Sequence, residues 1–442
     1  MIGQKIKIFV GISLIFYLIF AQSSFQVGLE SKLHLRLNAL DSSAISWFET
    51  RTRLNFSPAL SEKITSKVGL EIRAKEFSNL NSVSRLTEPS SFQPIAILLD
   101  ENYLSLFDIV PNLTFTVGRK MVHWGTADVI NPTDNIVTPD YSDPTLWDAK
   151  RPVWLIHTEY NPVNSLGLEL VVKPIFEPAL LTPKNWFWVE NLPTVAQLRQ
   201  GLVASLINQG LDTLTAQQVA ESYTITIRED FVMPKNTLKN ISYGGKIKTH
   251  FSVFDLSASL FRSYDFLPFA TPIITINPQD HTLDFVLQER YPRKTIIGGD
   301  IATNIFDIGI WAEAGYFIYD DSMPKDRLEL VVGTDYSFQG FYANLQFFRG
   351  KFPLAAMQSN DENNFIIGAL ERKFLADRVL LRAGGIIDTK NGSYGFLPSM
   401  RWLPVTGAEI EIGGLLFGGK EGSVFNPLAS VKEILFGIRY QF

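Results

Sequence analysis

The sequence predicts an all-β protein, a transmembrane antiparallel β-barrel, from its period-two alternation. At the end of the chain apolar residues occupy every second position: Ile434, Phe436, Ile438, Tyr440 and Phe442. The same period recurs from residue 24 onward, and near 62–77 apolar residues alternate with lysine, arginine and glutamate. Where such an apolar face meets lipid, the sheet must close on itself, because hydrocarbon offers no partner for unpaired backbone groups. The charged face must then meet water inside the barrel.

The beginning of the chain predicts export. Lys5 and Lys7 precede an apolar run over residues 8–20, and Ala21-Gln22-Ser23 follows it. A secretory signal peptide typically begins with positive charge, continues with an apolar segment of this length and ends in small residues at the cleavage site. The alternative is a single membrane helix, but the run is shorter than the roughly 20 residues that a spanning helix needs. We therefore expect a signal peptide at 1–23, a single barrel domain at 24–442 and a location in the cell outer membrane.

The composition favours one barrel over several soluble domains. Aromatic residues make up 12% and charged residues 19% of the 442 residues, which suits an apolar belt around a polar lumen. A net charge of -5 gives no reason to expect nucleic acid as a partner. The sequence contains no cysteine, so we expect neither a disulfide framework nor a lipid anchor on cysteine. We expect no cofactor and no metal site.

Strands placed between the turn signals number about eighteen, with sixteen as the alternative. Tight turns are predicted near Pro58-Ala59, 110–112, Asn161-Pro162, Asn304, Gly340, Ala376-Asp377 and 404–407. The predicted spans are 24–40, 42–58, 62–77, 94–108, 111–123, 150–160, 164–176, 237–249, 252–264, 289–303, 305–319, 327–338, 341–351, 364–374, 377–388, 392–403, 406–419 and 431–442. An even number leaves both termini in the periplasm, with short turns there and long loops outside. The connection at 39–43 is irregular, since it is short where this parity expects an external loop.

Two long connections have sequence features that an ordinary loop lacks. Segment 177–235 is too long for an idle loop, and Thr194 and Thr215 are predicted to begin two helices in it. This extracellular helical insert could plug the lumen, cover the mouth, cap the rim or meet a partner. Segment 265–288 is apolar for an exposed connection. It either folds at the mouth of the barrel or extends its strands.

A motif follows the fifth predicted strand. Its main residues are Gly118, Arg119, Trp124, Gly125, Asn131, Pro132 and Asp134, in the string GRKMVHWGT…NPTDN, with Lys150-Arg151-Pro152 after it. This string resembles a segment of bacterial outer-membrane porin-like barrels of the DUF1302 and alginate-export-like families. The resemblance implies a porin-like barrel and leaves the cargo open.

The motif also has a physical interpretation. Glycines at 118 and 125 permit positive φ or close backbone approach. Trp124 is expected at the lipid interface, in an aromatic belt. Because Arg119 and Lys120 are neighbours, only one of them can face the lumen. The loop either constricts the lumen or buttresses the barrel wall.

Parity assigns ionisable side chains to the lumen and separates them by sign. The basic candidates lie on strands one to three: Lys32, Arg36, Arg51, Arg53, Lys67 and Arg73. The acidic candidates lie on strands ten to twelve, across an eighteen-stranded barrel: Asp300, Glu313, Glu329 and Asp335. Opposed walls of this kind set up a transverse field that acts on small polar solutes. The alternative is that these charges pair with neighbours on adjacent strands and close the interior.

The sequence predicts a channel and not an enzyme. None of its five histidines has a metal-ligand spacing, and neither a nucleophile elbow nor a phosphate-binding glycine loop occurs. We expect passive diffusion of small polar or anionic solutes. The alternative is a plugged or structural barrel acting in surface binding or envelope anchoring. The expected partners are outer-membrane lipid, small solutes and, through the C-terminal strand ending at Phe442, the barrel-assembly machinery.

Overall fold

The chain forms one closed antiparallel sheet. A computed structural model describes residues 23–36, 45–75, 94–143, 145–146, 148–181, 192–322, 324–352, 362–429 and 431–442. Within these ranges eighteen long strands make up the barrel wall, and Ala59–Ser61 adds a short hairpin end. The predicted signal peptide, apart from Ser23, and the connection at 39–43 lie outside the described residues.

The strands of the wall are numbered in chain order. They are β1 (Ser24–Arg36), β2 (Ile45–Ser57), β3 (Ile64–Lys75), β4 (Ile95–Phe107), β5 (Leu113–Lys120), β6 (Val153–Val163), β7 (Leu166–Lys173), β8 (Ser242–His250), β9 (Phe254–Tyr264), β10 (Arg293–Ile305), β11 (Ile308–Tyr319), β12 (Arg327–Phe338), β13 (Phe341–Gly350), β14 (Asn363–Phe374), β15 (Val379–Asp388), β16 (Tyr394–Trp402), β17 (Ala408–Gly418) and β18 (Lys432–Gln441).

Closure is made by the first and last strands. Each strand pairs with the next, and β18 returns to β1, from Gly28 opposite Gln441 to Arg36 opposite Glu433. A closed wall leaves no unpaired edge, which is the condition for crossing a bilayer with strands. The predicted all-β barrel of about eighteen strands is confirmed, and every predicted span overlaps an observed strand.

Three turns lie beside their predicted positions. Past Pro58-Ala59 the chain still pairs with β3 through Ala59–Ser61, and it turns at Glu62 and Lys63. β6 continues past Asn161-Pro162, and the chain turns at 164–165. Proline is tolerated there because it lies near a strand end. β10 includes Asn304, and the turn is made by Phe306 and Asp307 at φ of 50° and 66°. The order of the strands is unaffected.

The outward face of the wall is apolar, as the alternation predicts. On β18, Ile438 is 61% exposed and its neighbours Phe436 and Tyr440 are also exposed. On β4, Ile97 and Leu99 show the same pattern. The intervening residues, such as Glu433 on β18, are turned inward and buried or half-buried. This is the arrangement in which lipid contacts one face and the lumen the other.

The predicted helical insert is part of a separate small module. Helix α1 (Val195–Asn208) begins at Thr194 through a capping box, as predicted. Helix α2 (Thr213–Glu221) begins two residues before the predicted Thr215, because the Asp212 carboxylate accepts the first free amide hydrogens. Neither helix of the described chain is long and apolar enough to cross a membrane.

The segment at 265–288 belongs to the same module. Phe269–Asn277 and Thr282–Arg290 form a hairpin, and the second strand also pairs in parallel with Thr224–Val232. Leu202 of α1 and Phe285 of the central strand lie in one hydrophobic cluster. This segment therefore forms its own sheet and does not extend the barrel strands.

Candidate functional site

The connection between β5 and β6, residues 121–152, folds into the barrel and is called the inner loop. Nearly every residue from 132 to 143 is buried. The loop contacts lumen-facing side chains of β1 and β3 on one side and of β11 on the other. It therefore narrows the interior while resting on the wall, so that it constricts and buttresses at once.

Glu313 on β11 binds the loop through backbone amides. Its Oε2 accepts hydrogen bonds from the N–H groups of Thr126 (2.9 Å) and Ala127 (3.1 Å). Its Oε1 accepts one from the N–H of Thr133 (2.6 Å). Gly125 lies beside it at φ 93°, and a Cβ there would overlap the same carboxylate and the side chain of Asn131. Glycine is thus required at position 125, because the side chains of Glu313 and Asn131 approach its backbone closely.

The Asn-Pro part of the motif forms a local turn. The Oδ1 of Asn131 accepts the N–H groups of Thr133 (3.2 Å) and Asp134 (2.9 Å). Such a side-chain turn satisfies backbone groups that the buried loop takes away from water. Pro132 carries a carbonyl that accepts from the amide of Asn135 at 2.8 Å.

The expected position of Trp124 was wrong. Trp124 is 1% exposed, so it does not lie at the lipid interface. Its ring packs edge-on against Phe261, and its Nε1 donates to Oε2 of Glu169 at 3.0 Å. The fifth strand was predicted to run to residue 123, but β5 ends at Lys120 and the chain turns inward after it.

At the start of the motif, the neighbouring basic residues Arg119 and Lys120 have different partners. Gly118 has φ 130°, and a Cβ there would overlap the backbone of Asn102 and Tyr103 on β4. Arg119 is buried and donates to both oxygens of Glu177 at 2.5 and 2.7 Å. Lys120 instead lies over the ring of Tyr103, 4.9 Å from its centroid.

Asp134 sits at the centre of the loop. It contacts Lys150 and accepts a hydrogen bond from Nδ1 of His123 at 2.7 Å. Burial opposes ionisation of this carboxyl, but the hydrogen bond of His123 and the charge of Lys150 outweigh it and lower its pKa. The adjacent Asn135 accepts from Nζ of Lys294 at 3.1 Å.

The basic wall meets acids of the inner loop. Arg73 donates from Nη2 to Oδ2 of Asp140 (2.6 Å) and from Nη1 to Oγ of Ser142 (2.8 Å). Lys32 donates from Nζ to Oδ2 of Asp143 at 2.8 Å. These loop acids were missed in the sequence, although the pair of aspartates within four residues was a usable signal.

The same contacts fix the ionisation of the loop acids. Burial alone would raise the pKa of the carboxyls of Asp140 and Asp143. For Asp140 the hydrogen bond and charge of Arg73 outweigh burial, and for Asp143 the charge of Lys32 does so. Each pKa therefore lies below its ordinary value of 3.8, and both groups are ionised at neutral pH.

The other basic candidates contact acids of the wall itself. Arg51 pairs with Glu49 on the same strand. Arg53 binds Glu71 at 2.6 Å, and Lys67 binds Glu101 at 2.8 Å. Arg36 ends β1 opposite Glu433 in the sheet.

The remaining acidic candidates also have partners. Asp300 accepts from the hydroxyl of Ser257 and lies 3.6 Å from Nζ of Lys246. Glu329 binds Nε of Arg327 at 2.6 Å. Asp335 accepts from the hydroxyl of Tyr342 at 3.2 Å. The charges of both walls thus contact loop or wall groups, which weakens a transverse field.

A second loop fills part of the lumen. Phe425, in the connection between β17 and β18, is 1% exposed and contacts the rings of Phe352, Phe365 and Phe417. Phe365 and Phe417 belong to the inward faces of β14 and β17. Inward phenylalanines on wall strands were the sequence signal for such an apolar filling, and the sequence analysis missed it.

A cavity of about 730 Å³ remains inside the barrel. The inner loop lines one side of it and β12–β18 line the other. Its charged lining balances, with eight basic and eight acidic residues: Lys32, Lys150, Lys294, Arg327, Lys351, Arg382, Arg401, Arg439, Asp128, Asp134, Asp148, Asp265, Glu329, Glu371, Glu409 and Glu411. Within the described ranges, no three histidine, aspartate or glutamate side chains are grouped so that they could hold a metal ion.

An eighteen-stranded closed barrel with an apolar exterior and an inward loop has the porin fold. Solved structures agree across nearly the whole chain. OccAB3 of Acinetobacter baumannii matches with a TM-score of 0.52 at 9% identity, over 96% of this chain and 99% of that chain. OpdK of Pseudomonas aeruginosa, solved with vanillate, matches with a TM-score of 0.51 at 9% identity, over the same shares. OccAB2 of Acinetobacter baumannii gives 0.52 at 10% identity, over 96% and 98%.

These similarities refine the expected resemblance. They are to Occ-type outer-membrane porins, and they do not show a relation to the DUF1302 or alginate-export-like families. No family model matches the sequence, and no curated protein matches it. At this level of identity the likeness concerns the fold.

Proposed function

We propose that this protein is an outer-membrane channel for the passive diffusion of small polar solutes. The observation that supports this proposal is the cavity of about 730 Å³ inside a closed barrel, bounded by the inner loop and a charged wall. Ionic and hydrogen-bonding groups line this space, so a polar solute can exchange its water for wall contacts. The volume lies within the range of sites that hold small molecules.

Anionic solutes are the finer part of the proposal. Arg382, Arg401 and Arg439 line the cavity and have side chains that are 40%, 31% and 43% exposed. Their nearest acids lie at 3.4, 3.9 and 2.9 Å, so donor groups stay partly free for a passing carboxylate. The solved structure of OpdK contains vanillate, which is itself a carboxylate. For the present chain we infer that anions are admitted together with neutral polar solutes.

The same proposal includes the location of the protein and its partners there. The apolar outer face fits outer-membrane lipid, and export through a signal peptide at 1–23 would deliver the chain there. The C-terminal strand, ending at Phe442, is the proposed contact with the barrel-assembly machinery. Channel activity requires no catalytic group, and the proposal assigns none.

A plugged or structural barrel is the second candidate. The inner loop and the Phe425 loop both occupy the lumen, and this observation favours it. Under this hypothesis the remaining cavity would not conduct, and the barrel would act in surface binding or envelope anchoring.

Planar bilayers separate the two candidates. We expect purified, folded protein to insert in discrete steps of ohmic conductance, because a water-filled cavity between loop and wall carries ions. The control is the same protein after heat denaturation in detergent. Silent membranes containing verified folded barrels would contradict the channel and support the plugged barrel.

A further inference from the structure

Arg372 is a charged residue on the lipid-facing side of the barrel. Its neighbours on β14, Glu371 and Lys373, have the parity of the lumen face, and Glu371 lines the cavity. Arg372 shares the outward face with Leu370 and Phe374, and all three side chains are exposed. In the short-turn halves of the eighteen strands that the structure describes, every other lipid-facing position is uncharged. A charge on this face is destabilising near the middle of a bilayer and tolerated near its surface.

Aromatic side chains place Arg372 at the surface of the membrane. At this end of the barrel the exposed lipid-facing residues include Tyr336, Phe338, Trp402 and Tyr440. In transmembrane barrels such aromatic residues collect at the level of the lipid headgroups. The short turns of these barrels face the periplasm, so the headgroups beside Arg372 belong to the periplasmic leaflet.

Two phenylalanine rings contact the guanidinium group of Arg372. Its Cζ lies 4.2 Å from the ring centroid of Phe341, which is directly opposite on β13, and 4.8 Å from that of Phe374. A ring over the face of a guanidinium group leaves the N–H donors in its plane free. Among the residues that the structure describes, none forms an ion pair or a hydrogen bond with this side chain. Its donors are therefore available to a group outside the protein.

The adjacent turn adds positive charge. Lys373 and Arg378 are exposed, and neither has an ion pair within the described part of the chain. Asp377 is the acid of the same turn, while Glu371 is paired with Arg382 on the lumen side at 3.4 Å. An excess of exposed basic groups at a membrane surface attracts lipids of net negative charge.

We propose that Arg372, held by Phe341 and Phe374, binds the phosphate of an anionic glycerophospholipid in the periplasmic leaflet. A planar guanidinium group donates two parallel hydrogen bonds to two phosphate oxygens. The two rings fix the orientation of the group, and the acyl chains lie along the apolar wall past Leu370. The positive rim favours a net negative lipid over a zwitterionic one. The site lies outside the lumen, so it does not depend on the proposed channel function.

Lipid retention tests the proposal on folded barrels. Protein in detergent is mixed with equal amounts of phosphatidylglycerol and phosphatidylethanolamine of the same acyl chains, and bound lipid is measured by native mass spectrometry. We expect the unaltered protein to retain phosphatidylglycerol preferentially. Arg372→Gln should lower the retained phosphatidylglycerol by about fivefold, the effect of one basic group on binding to an acidic lipid surface. Lys373→Gln is the matched control, since it removes the same charge one residue away on the lumen side, and it should cause a smaller loss.

The rings and the position of the lipid are tested separately. Phe341→Leu keeps the charge of Arg372 but removes the ring opposite it, so retention of phosphatidylglycerol should fall. Phe347→Leu is its control, since Phe347 lies on the same face of β13 nearer the long loops, and it should leave retention unchanged. Phosphatidylglycerol with a photoreactive group near the phosphate should crosslink to peptides of β13–β15. Heat-dependent gel mobility shows which variants contain folded barrels.

Three results would each overturn the lipid site. The first is equal retention of the two lipids by the unaltered protein. The second is an equal loss in Arg372→Gln and Lys373→Gln, which would show a general attraction of the basic rim and no site at Arg372. The third is crosslinking confined to strands other than β13–β15. None of these measurements uses conductance, so their outcome is separate from that of the channel proposal.

Discussion

Glu313 holds the inner loop because its carboxylate accepts hydrogen bonds from the loop. A side-chain amide in its place would accept only part of them. The two carboxylate oxygens accept three backbone N–H groups, from Thr126, Ala127 and Thr133. Glutamine would place an NH2 group against some of these hydrogens. A hydrogen bond to a charged group contributes about 1.5–3 kcal/mol, so the exchange removes a large part of the attachment.

We therefore expect Glu313→Gln to loosen the inner loop. Single-channel recordings should show a larger mean conductance and more open-channel noise than those of the unaltered protein. Asp300→Asn is the matched control, because Asp300 lies opposite Glu313 in the sheet, is also buried and binds Ser257 of the wall. Identical recordings for the two variants would show that Glu313 does not position the loop.

At the scale of elements, the inner loop is attached to the basic wall by ionised acids. Arg73 holds Asp140, and Lys32 holds Asp143. The pKa of both carboxyls lies below 3.8, so their pairing stabilises the attachment above that value. The stabilisation is lost as pH falls through the lowered pKa values, where the carboxyls take up protons.

The conductance of the channel should depend on whether the inner loop is attached to the basic wall. We expect conductance to rise as the pH falls below about 4 and the loop detaches from the basic wall. The measurement is a pH series of single-channel recordings at fixed ionic strength. The double variant Asp140→Asn, Asp143→Asn should already show the larger conductance at neutral pH. A rise centred near pH 6 would assign the change to another group.

The elements differ in how far the sequence determined them. The strands were predictable because each places apolar residues against lipid at every second position, as Phe436 and Ile438 do. The contacts of the inner loop were not predictable, because they join residues distant in the chain. Nothing in the string around Gly125 indicates that Glu313 occupies the space beside it. Trp124 was misplaced for the same reason, since its partner Glu169 lies on β7.

At the scale of the whole molecule, charge is balanced where solutes pass. Of the basic residues that were expected to form one wall of the lumen, Lys32 and Arg73 are bound to the inner loop. The free cavity has eight residues of each sign. We therefore expect weak ion selectivity, governed by the half-exposed charges near the short turns and little by the buried ones. Low-dielectric walls make a single unbalanced charge effective there.

This expectation gives a prediction for reversal potentials under a salt gradient. Arg401→Gln removes one base from the balanced lining, so the channel should become more selective for cations. Arg372→Gln is the control, since Arg372 lies outside the lumen over the rings of Phe341 and Phe374 and should leave the potential unchanged. Arg51→Gln should cause the smaller shift, because Arg51 is buried against Glu49. If Arg51→Gln instead shifts the potential more than Arg401→Gln, permeating ions pass along the basic wall, and the cavity beside β14–β18 is not their path.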